Sequence, residues 1–174
     1  MNETVEEALD DAEPARTTAS RWLWLSGVIV ALDQLTKWLI VSHVELADRI
    51  TVNPLLTITH RHNPGAAFSF LADQPGWQRW FFIVLAIAVS ITIIVWIRRL
   101  PRRGQAMLAI GLALILGGAL GNVVDRVHYG YVIDFILIGY GNLNFPFAFN
   151  IADSAISVGA TFLIVDSLFG GAKR

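Results

Sequence analysis

Two aspartates set among apolar residues are the strongest candidate reactive groups in this sequence. Asp134 lies in Val-Ile-Asp-Phe, and Asp153 follows Asn150 by three residues, where the last long apolar run begins. Two carboxylates close together at low dielectric share one proton, because both cannot ionise easily. The ionised member can take a proton from water while the protonated member hydrogen-bonds a substrate carbonyl. Taken singly, each aspartate also fits a structural role, since Asn150 and Asp153 have the spacing of a helix N-terminus.

A second charged pair lies inside the first apolar run. Asp33 and Lys37 are four residues apart, so on a helix they share one face and can pair. An ionisable group inside a membrane helix costs about 2.5–3.5 kcal/mol on insertion scales, which makes it a functional candidate. We favour an internal ion pair that makes both groups tolerable in lipid over direct participation in a reaction.

Two further motifs carry polar groups near apolar runs. Asn63-Pro64-Gly65-Ala66-Ala67-Phe68 is either a turn or a place where backbone and the Asn63 amide approach a ligand. In Gly121-Asn122-Val123-Val124-Asp125-Arg126, Asn122 and Arg126 share a helical face. Asp125 and Arg126 either cap and anchor the helix end or orient neighbouring groups of a site.

Metal-dependent, thiol-dependent and nucleic-acid-binding functions find little support. The chain has no cysteine, and no His-Glu-x-x-His motif accompanies the alternating His60 and His62 or the isolated His43 and His128. We therefore expect no metal and no cofactor. A net charge of -1 offers no basic surface for nucleic acid.

Composition and apolar runs predict a membrane protein. Hydrophobic residues make up 55% of the 174 positions and charged residues only 16%, against about 25% charged in soluble domains. Residues 1–21 are acidic and polar, and predict a disordered tail. Four apolar runs follow, at 22–41, 81–97, 107–124 and 151–169. The length of each run is close to the about 20 residues that a membrane-spanning helix needs. They define one four-helix domain over 22–170.

The distribution of cations predicts the orientation. Arg98, Arg99, Arg102 and Arg103 lie between the second and third runs, and such a loop stays cytoplasmic. Both termini are then cytoplasmic, and the segments 42–80 and 125–150 are exposed at the outer face. This topology brings Asp134 and Asp153 to the same side of the membrane. The rich content of β-branched residues over 49–62 predicts one or two short strands, whereas 129–138 fits a strand or an interfacial helix equally.

Taken in order, these motifs resemble the lipoprotein signal peptidase family of bacteria, the type II signal peptidases. The resemblance covers about residues 21–169 and joins five motifs on four spans, each weak alone and specific together. They are Asp-Gln-x-x-Lys from Asp33, Asn-x-Gly-Ala-Ala-Phe from Asn63, Gly-Asn-x-x-Asp-Arg from Gly121, Val-Ile-Asp-Phe around Asp134, and Phe-Asn-x-Ala-Asp ending at Asp153.

The resemblance implies an intramembrane aspartyl endopeptidase of the bacterial inner membrane, working at the outer face. Asp134 and Asp153 would be its catalytic pair. Supporting or substrate-binding roles would fall to Asn63, Gly65, Asn122, Arg126, Asn150, Asp33 and Lys37. The fold would be mainly α, with a small β cradle formed by 50–70 and a short interfacial flap within 128–145.

The substrates would be prolipoproteins whose cysteine carries diacylglycerol, cleaved just before that cysteine in contact with membrane lipid, by a monomeric enzyme. Two other classes remain open from the residues alone. In a small proton or cation transporter the acidic residues would form a path, and an assembly factor would have no catalysis. The acids cluster near one face rather than tracing a path, which favours the peptidase.

Overall fold

Four long helices and one small sheet make up the protein. The computed structural model describes residues 19–65, 76–101, 105–140, 143–144 and 147–169. The acidic residues 1–18, the Ala66-Ala67-Phe68 part of the loop motif and parts of the expected flap lie outside the described residues. The helices are α1 (Leu23–His43), α2 (Trp77–Arg99), α3 (Ala106–His128) and α4 (Ile151–Phe169).

Each helix is long and apolar enough to cross a membrane, which confirms the four predicted spans. The start of α4 agrees with the sequence, whereas α2 begins four residues earlier and α3 ends four residues later than their apolar runs. The polar residues at those ends continue the helices beyond the hydrocarbon-like segments. A 3₁₀ helix, Ala19–Trp22, precedes α1. The buried Ala19 donates its N–H to the carbonyl of Leu100 at 3.1 Å, so the described residues before position 22 contact the end of α2.

Helix α3 is the central helix of the bundle and packs against the other three. Glycines allow this close approach. A Cβ built on Gly117 would lie 2.9 Å from the carbonyl oxygen of Ser26 on α1, and one on Gly111 would lie 2.9 Å from the carbonyl oxygen of Gly159 on α4. Small residues at both contacts let the backbones pack tightly, as in other membrane helix pairs.

The sheet lies where α1 and α3 end and α2 and α4 begin, a region we call the sheet end of the bundle. Its antiparallel strands run in the order β1 (Arg49–Asn53), β2 (Leu56–Asn63), β3 (Val132–Tyr140) and β4 (Leu143–Asn144). The one or two short strands predicted within 49–62 are present as β1 and β2, and β2 continues to Asn63. The ambiguous segment 129–138 is largely strand, because β3 pairs with β2 along its length. Within the described part of the expected flap, the regular structure is this strand and β4.

Candidate active site

Asp134 projects from β3 and is held by two asparagine side chains. Its Oδ1 accepts the Nδ2 of Asn150 at 2.8 Å, and its Oδ2 accepts the Nδ2 of Asn63 at 2.9 Å. Asn63 is oriented for this contact because its Oδ1 accepts the N–H of Gly65 at 3.0 Å, which leaves the amide NH₂ facing Asp134. Asp134 is 3% exposed, and each of its carboxyl oxygens accepts a hydrogen bond from a protein donor.

Asp153 is placed by the start of α4. Asn150 Oδ1 accepts the N–H of Asp153 at 2.9 Å, and Asp153 Oδ2 accepts the N–H of Asn150 at 3.3 Å. This reciprocal arrangement is a capping box, and the helix N-terminus favours the negative charge. The other oxygen of Asp153 accepts the Nδ2 of Asn122 at 2.8 Å. Asn150 is therefore a helix N-cap, as its spacing from Asp153 predicted, and the same residue also contacts Asp134.

Backbone pairing explains how one asparagine reaches both aspartates. The N–H and the carbonyl of Phe149 bond Ile136 at 3.0 and 2.8 Å, so the segment before α4 runs antiparallel to β3. This pairing brings Asn150 beside the Asp134 end of the strand. A local helix start and a long-range strand contact thus meet at Asn150.

Burial and charge act together on Asp134. Desolvation, reinforced by the nearby Asp153 carboxylate, raises the pKa of Asp134 to about 7. The hydrogen bonds from Asn63 and Asn150 and the charge of Lys37 oppose this rise. Near neutral pH, Asp134 is therefore a carboxyl group that can hold or release a proton.

A buried ion cluster supports the two aspartates from behind. Lys37 Nζ lies 2.7 Å from Asp33 Oδ2 and 2.8 Å from Asp125 Oδ2, and all three side chains are at most 2% exposed. Lys37 also donates to Asn122 Oδ1 at 3.1 Å. Because that oxygen faces the ammonium, the Asn122 NH₂ faces Asp153. The predicted pairing of Asp33 with Lys37 is confirmed, and Asp125 is a second partner.

Arg126 fastens the loop after β2 to α3. Its Nη2 donates to the carbonyl of Gly65 at 2.8 Å and its Nη1 to that of Asn122 at 3.3 Å, while the guanidinium lies 5.1 Å from the Phe82 ring centroid. The cation also interacts electrostatically with Asp134, Asp153 and Asp125. This guanidinium therefore brings positive charge close to both candidate carboxylates.

Both aspartates lie on the wall of one cavity of about 900 Å³. Its lining residues come mainly from α2, α3 and α4, from β3 and from the segment just before α4. Most of the other wall residues are apolar, among them Phe82, Leu85, Ala86, Val89, Ile115, Ala119, Val132, Ile138, Ile156 and Val158. Leu85, Val89 and Val158 are also among the exposed apolar residues of α2 and α4, so the cavity opens at the apolar surface of the bundle.

The family model of signal peptidase (SPase) II matches residues 25–169. The chain belongs to the signal peptidase II family. A lipoprotein signal peptidase of Acinetobacter baumannii is 52% identical over 148 residues, which cover 85% of this chain and 83% of that protein. Another, from Pseudomonas syringae pv. tomato, is 50% identical over 161 residues, 91% of this chain and 92% of its relative.

Solved structures agree with this family assignment. A bacterial membrane enzyme solved by the in meso method at 2.3 Å resolution superposes with a TM-score of 0.74 at 31% identity, covering 85% of this chain and 87% of that one. A second, at 1.9 Å resolution, gives a TM-score of 0.71 at 30% identity and covers 86% and 93%. The mainly α membrane fold expected from the sequence is thus confirmed.

In this signal peptidase II chain, the nine residues singled out from the sequence fall into one connected site. Two of them, Asp134 and Asp153, line the cavity. Three amides donate hydrogen bonds to these carboxylates, those of Asn63, Asn122 and Asn150. The remaining four lie beside these asparagines as two contacting pairs, Arg126 with Gly65 and Lys37 with Asp33. Gln34 and Phe82 are not among the site residues predicted from the sequence. Gln34 Nε2 donates to Asp125 Oδ1 at 2.8 Å and to the carbonyl of Gly121 at 3.1 Å. The position of Gln34 inside the Asp-Gln-x-x-Lys motif is the sequence feature that could have identified it.

His60 and His62 lie on β2 of the sheet, whereas His43 ends α1 and His128 ends α3. The ring centroids of His60 and His62 are 5.1 Å apart, and His62 stacks on Tyr131 at 3.8 Å. Burial and the neighbouring His60 lower the pKa of His62. In the part of the chain that the structure describes, no group of three or more histidines and carboxylates could hold a metal ion.

Proposed function

We propose that this chain is an intramembrane aspartyl endopeptidase that removes signal peptides from diacylglyceryl-modified prolipoproteins, cutting just before the lipidated cysteine. The single observation that carries the proposal is the placement of two carboxylates, the buried Asp134 and the partly buried Asp153, on the wall of a largely apolar cavity that opens at exposed apolar residues of α2 and α4. Acyl chains of a substrate can stay in the bilayer and cavity while the peptide bond meets the polar wall. The relatives named lipoprotein signal peptidase support the substrate class.

The chemistry needs one protonated and one ionised carboxyl group. Asp134, with a pKa of about 7, is suited to hold the proton. Asp153 lies at a helix N-terminus, where an ionised carboxylate is stabilised. We therefore assign Asp134 as the initial acid and Asp153 as the initial base, recognising that such a pair titrates jointly.

In the first step, Asp153 takes a proton from water, and the water oxygen bonds to the scissile carbonyl carbon. Asp134 donates its proton to the carbonyl oxygen, which gives a neutral tetrahedral diol. In the second step, Asp153 passes its proton to the departing nitrogen as the C–N bond breaks. Asp134 takes a proton back from a diol hydroxyl, so both carboxyl groups return to their initial states.

The polar wall also supplies positioning and charge. Asn63, Asn122 and Asn150 fix the carboxylates, which limits the reorganisation needed during proton transfer. Arg126 places a cation near both carboxylates, where positive charge stabilises the ionised member of the pair. Supporting rather than catalytic roles follow for Asp33 and Lys37, which lie behind this wall. We keep residues 22–170 as a single peptidase domain and propose that it acts as a monomer.

Orientation follows from the cations. Arg98 and Arg99 end α2 on the side opposite the sheet, which supports a cytoplasmic position for that end and for both termini. The sheet end, with Asp134 and Asp153, would then face outward. Lipidated precursors present their cleavage site on that face of the inner membrane.

The decisive experiment compares Asp134→Asn and Asp153→Asn with Asp48→Asn on a purified diacylglyceryl prolipoprotein. Asp48 lies exposed in the loop before β1, so its variant controls for loss of a carboxylate at the same end. We expect each of the first two variants to insert normally and lose cleavage, and the third to keep it. Near-wild-type turnover by Asp134→Asn or Asp153→Asn would show that the assignment is wrong.

A further inference from the structure

Asp125 is a buried carboxylate that the proposed reaction does not use. It is fully buried and is not among the residues that line the cavity. Its Oδ1 accepts the Nε2 of Gln34 at 2.8 Å, and its Oδ2 accepts the Nζ of Lys37 at 2.8 Å. The same Oδ2 accepts the backbone N–H of Ile133 at 3.0 Å. Asp125, which lies on α3, is thus hydrogen-bonded to α1 and to the start of strand β3.

The tie to Ile133 reaches the residue directly before Asp134. On the other side of that residue, the carbonyl of Ile133 accepts the Nδ2 of Asn150 at 3.3 Å. Both polar backbone groups of Ile133 are therefore held by side chains, and the Ile133 side chain is itself buried. The backbone that carries Asp134 is fixed from α3 through Asp125 and from α4 through Asn150.

We propose that Asp125 is a positioning residue. It fixes the Ile133–Asp134 backbone against α3 and so holds the Asp134 carboxyl at the distance from Asp153 that the reaction needs. The inference rests on the proposed function of these two aspartates. Displacing a reacting group by about 1 Å costs on the order of 10²-fold in rate. A strand held only by its pairing with β2 would leave that distance free to vary, because the register shifts between Ile58 and Arg61, directly beyond the pair that Arg61 forms with Asp134.

Paired variants at position 125 separate the backbone tie from the charge. Asp125→Ala and Asp125→Asn both remove the negative charge, but asparagine keeps a carbonyl oxygen that can accept the Ile133 N–H. We expect Asp125→Ala to lower kcat on a diacylglyceryl prolipoprotein by about 10²-fold with little change in KM. Asp125→Asn should recover about tenfold or more of that loss. Ser26→Ala is the matched control, since it removes another buried bond between α1 and α3, to the carbonyl of Ala113 at 2.8 Å.

Hydrogen–deuterium exchange of the Ile133 amide supplies a second readout. Its exchange should be slow in the wild type, Asp125→Asn and Ser26→Ala, and fast in Asp125→Ala. Should Asp125→Ala fail to fold, Gln34→Met removes one of the three donors to Asp125 while keeping the carboxylate. It should lower kcat by about threefold to tenfold, by loosening a residue that must stay positioned.

Several results would overturn the proposal. The first is an unchanged kcat in Asp125→Ala or, if that variant does not fold, an unchanged kcat in Gln34→Met. The second is an equal loss of kcat in Asp125→Ala and Asp125→Asn although only Asp125→Ala loses protection of the Ile133 amide. An effect confined to KM would also count against positioning. Failure of the underlying function is distinguishable, because it would appear as cleavage by Asp134→Asn or Asp153→Asn with the native Asp125 in place.

Discussion

Replacing Lys37 by methionine should destabilise the protein more than any other single change in the buried cluster. Asp33 and Asp125 are both fully buried, and each lies within 2.8 Å of the ammonium. At an effective dielectric constant of about 20, each contact is worth roughly 6 kcal/mol before desolvation is counted. Desolvation removes much of that gain, and breaking a buried pair typically costs about 3–5 kcal/mol. We expect that loss in Lys37→Met, because two carboxylates are left facing each other.

Removing a carboxylate instead should cost less. In Asp33→Asn, Lys37 keeps Asp125 as a partner, so no buried cation is stranded. The triple variant Lys37→Met, Asp33→Asn, Asp125→Asn is neutral throughout, and should recover at least half of the loss, since uncharged replacements of buried ion clusters are often tolerated. Asp33 also accepts the N–H of Ala152 at 2.9 Å, at the start of α4, and an asparagine oxygen can keep this bond.

The free energy of unfolding can be measured in mixed micelles by raising the mole fraction of sodium dodecyl sulfate and following circular dichroism. Ser26→Ala serves as the reference, because losing one neutral hydrogen bond costs about 1 kcal/mol. A Lys37→Met variant that is no less stable than Ser26→Ala would contradict the expected electrostatic cost. A neutral triple variant that is less stable than Lys37→Met alone would contradict it as well.

Three further outcomes can be checked. Because burial raises the pKa of Asp134 to about 7, its proton is lost as pH rises through that value, and kcat/KM should fall about tenfold per pH unit above it; a flat profile from about pH 6 to 9 would contradict this. Gly118→Ala should cost about 1–3 kcal/mol by overpacking against the backbone of Ala152, whereas Gly27→Ala, with open space around its Cβ, should cost nothing. In intact cells, a cysteine at exposed Pro54 should react with an impermeant maleimide and one at exposed Pro101 should not; the reverse pattern would invert the proposed topology.

Local spacing made the helices and one ion pair predictable. The four apolar runs are long enough to span a membrane, and Asp33 and Lys37 share a face by helical period alone. Apolar content could not show where the helices end, because α3 continues to His128 through charged residues. The hydrogen bond from Arg126 to the loop after β2 lies in that extension. Helix ends that carry polar residues are where the site is built.

Long-range contacts set the limit of what could be predicted. Nothing in the sequence near Lys37 indicates that Asp125 is its second partner, since the two residues come from different helices. The segment 129–138 was equally consistent with strand or helix, and pairing with β2 decided it. The Lys37–Asp125 contact depends on the packing of α1 against α3, and the pairing of β2 with β3 joins strands from distant parts of the chain. Local sequence patterns encode neither contact.

Two of the polar residues, Asn122 and Asn150, each contact two polar neighbours at once, and this determines their role in the site. Asn122 accepts from Lys37 through its oxygen and donates to Asp153 through its nitrogen, so the buried cation fixes which end of the amide meets the carboxylate. Asn150 caps α4 and bonds Asp134. An aspartate at either position would present only acceptors to an existing carboxylate, and would add charge repulsion in a buried site. Amides therefore suit these two positions, because they hold the candidate catalytic pair without changing its charge.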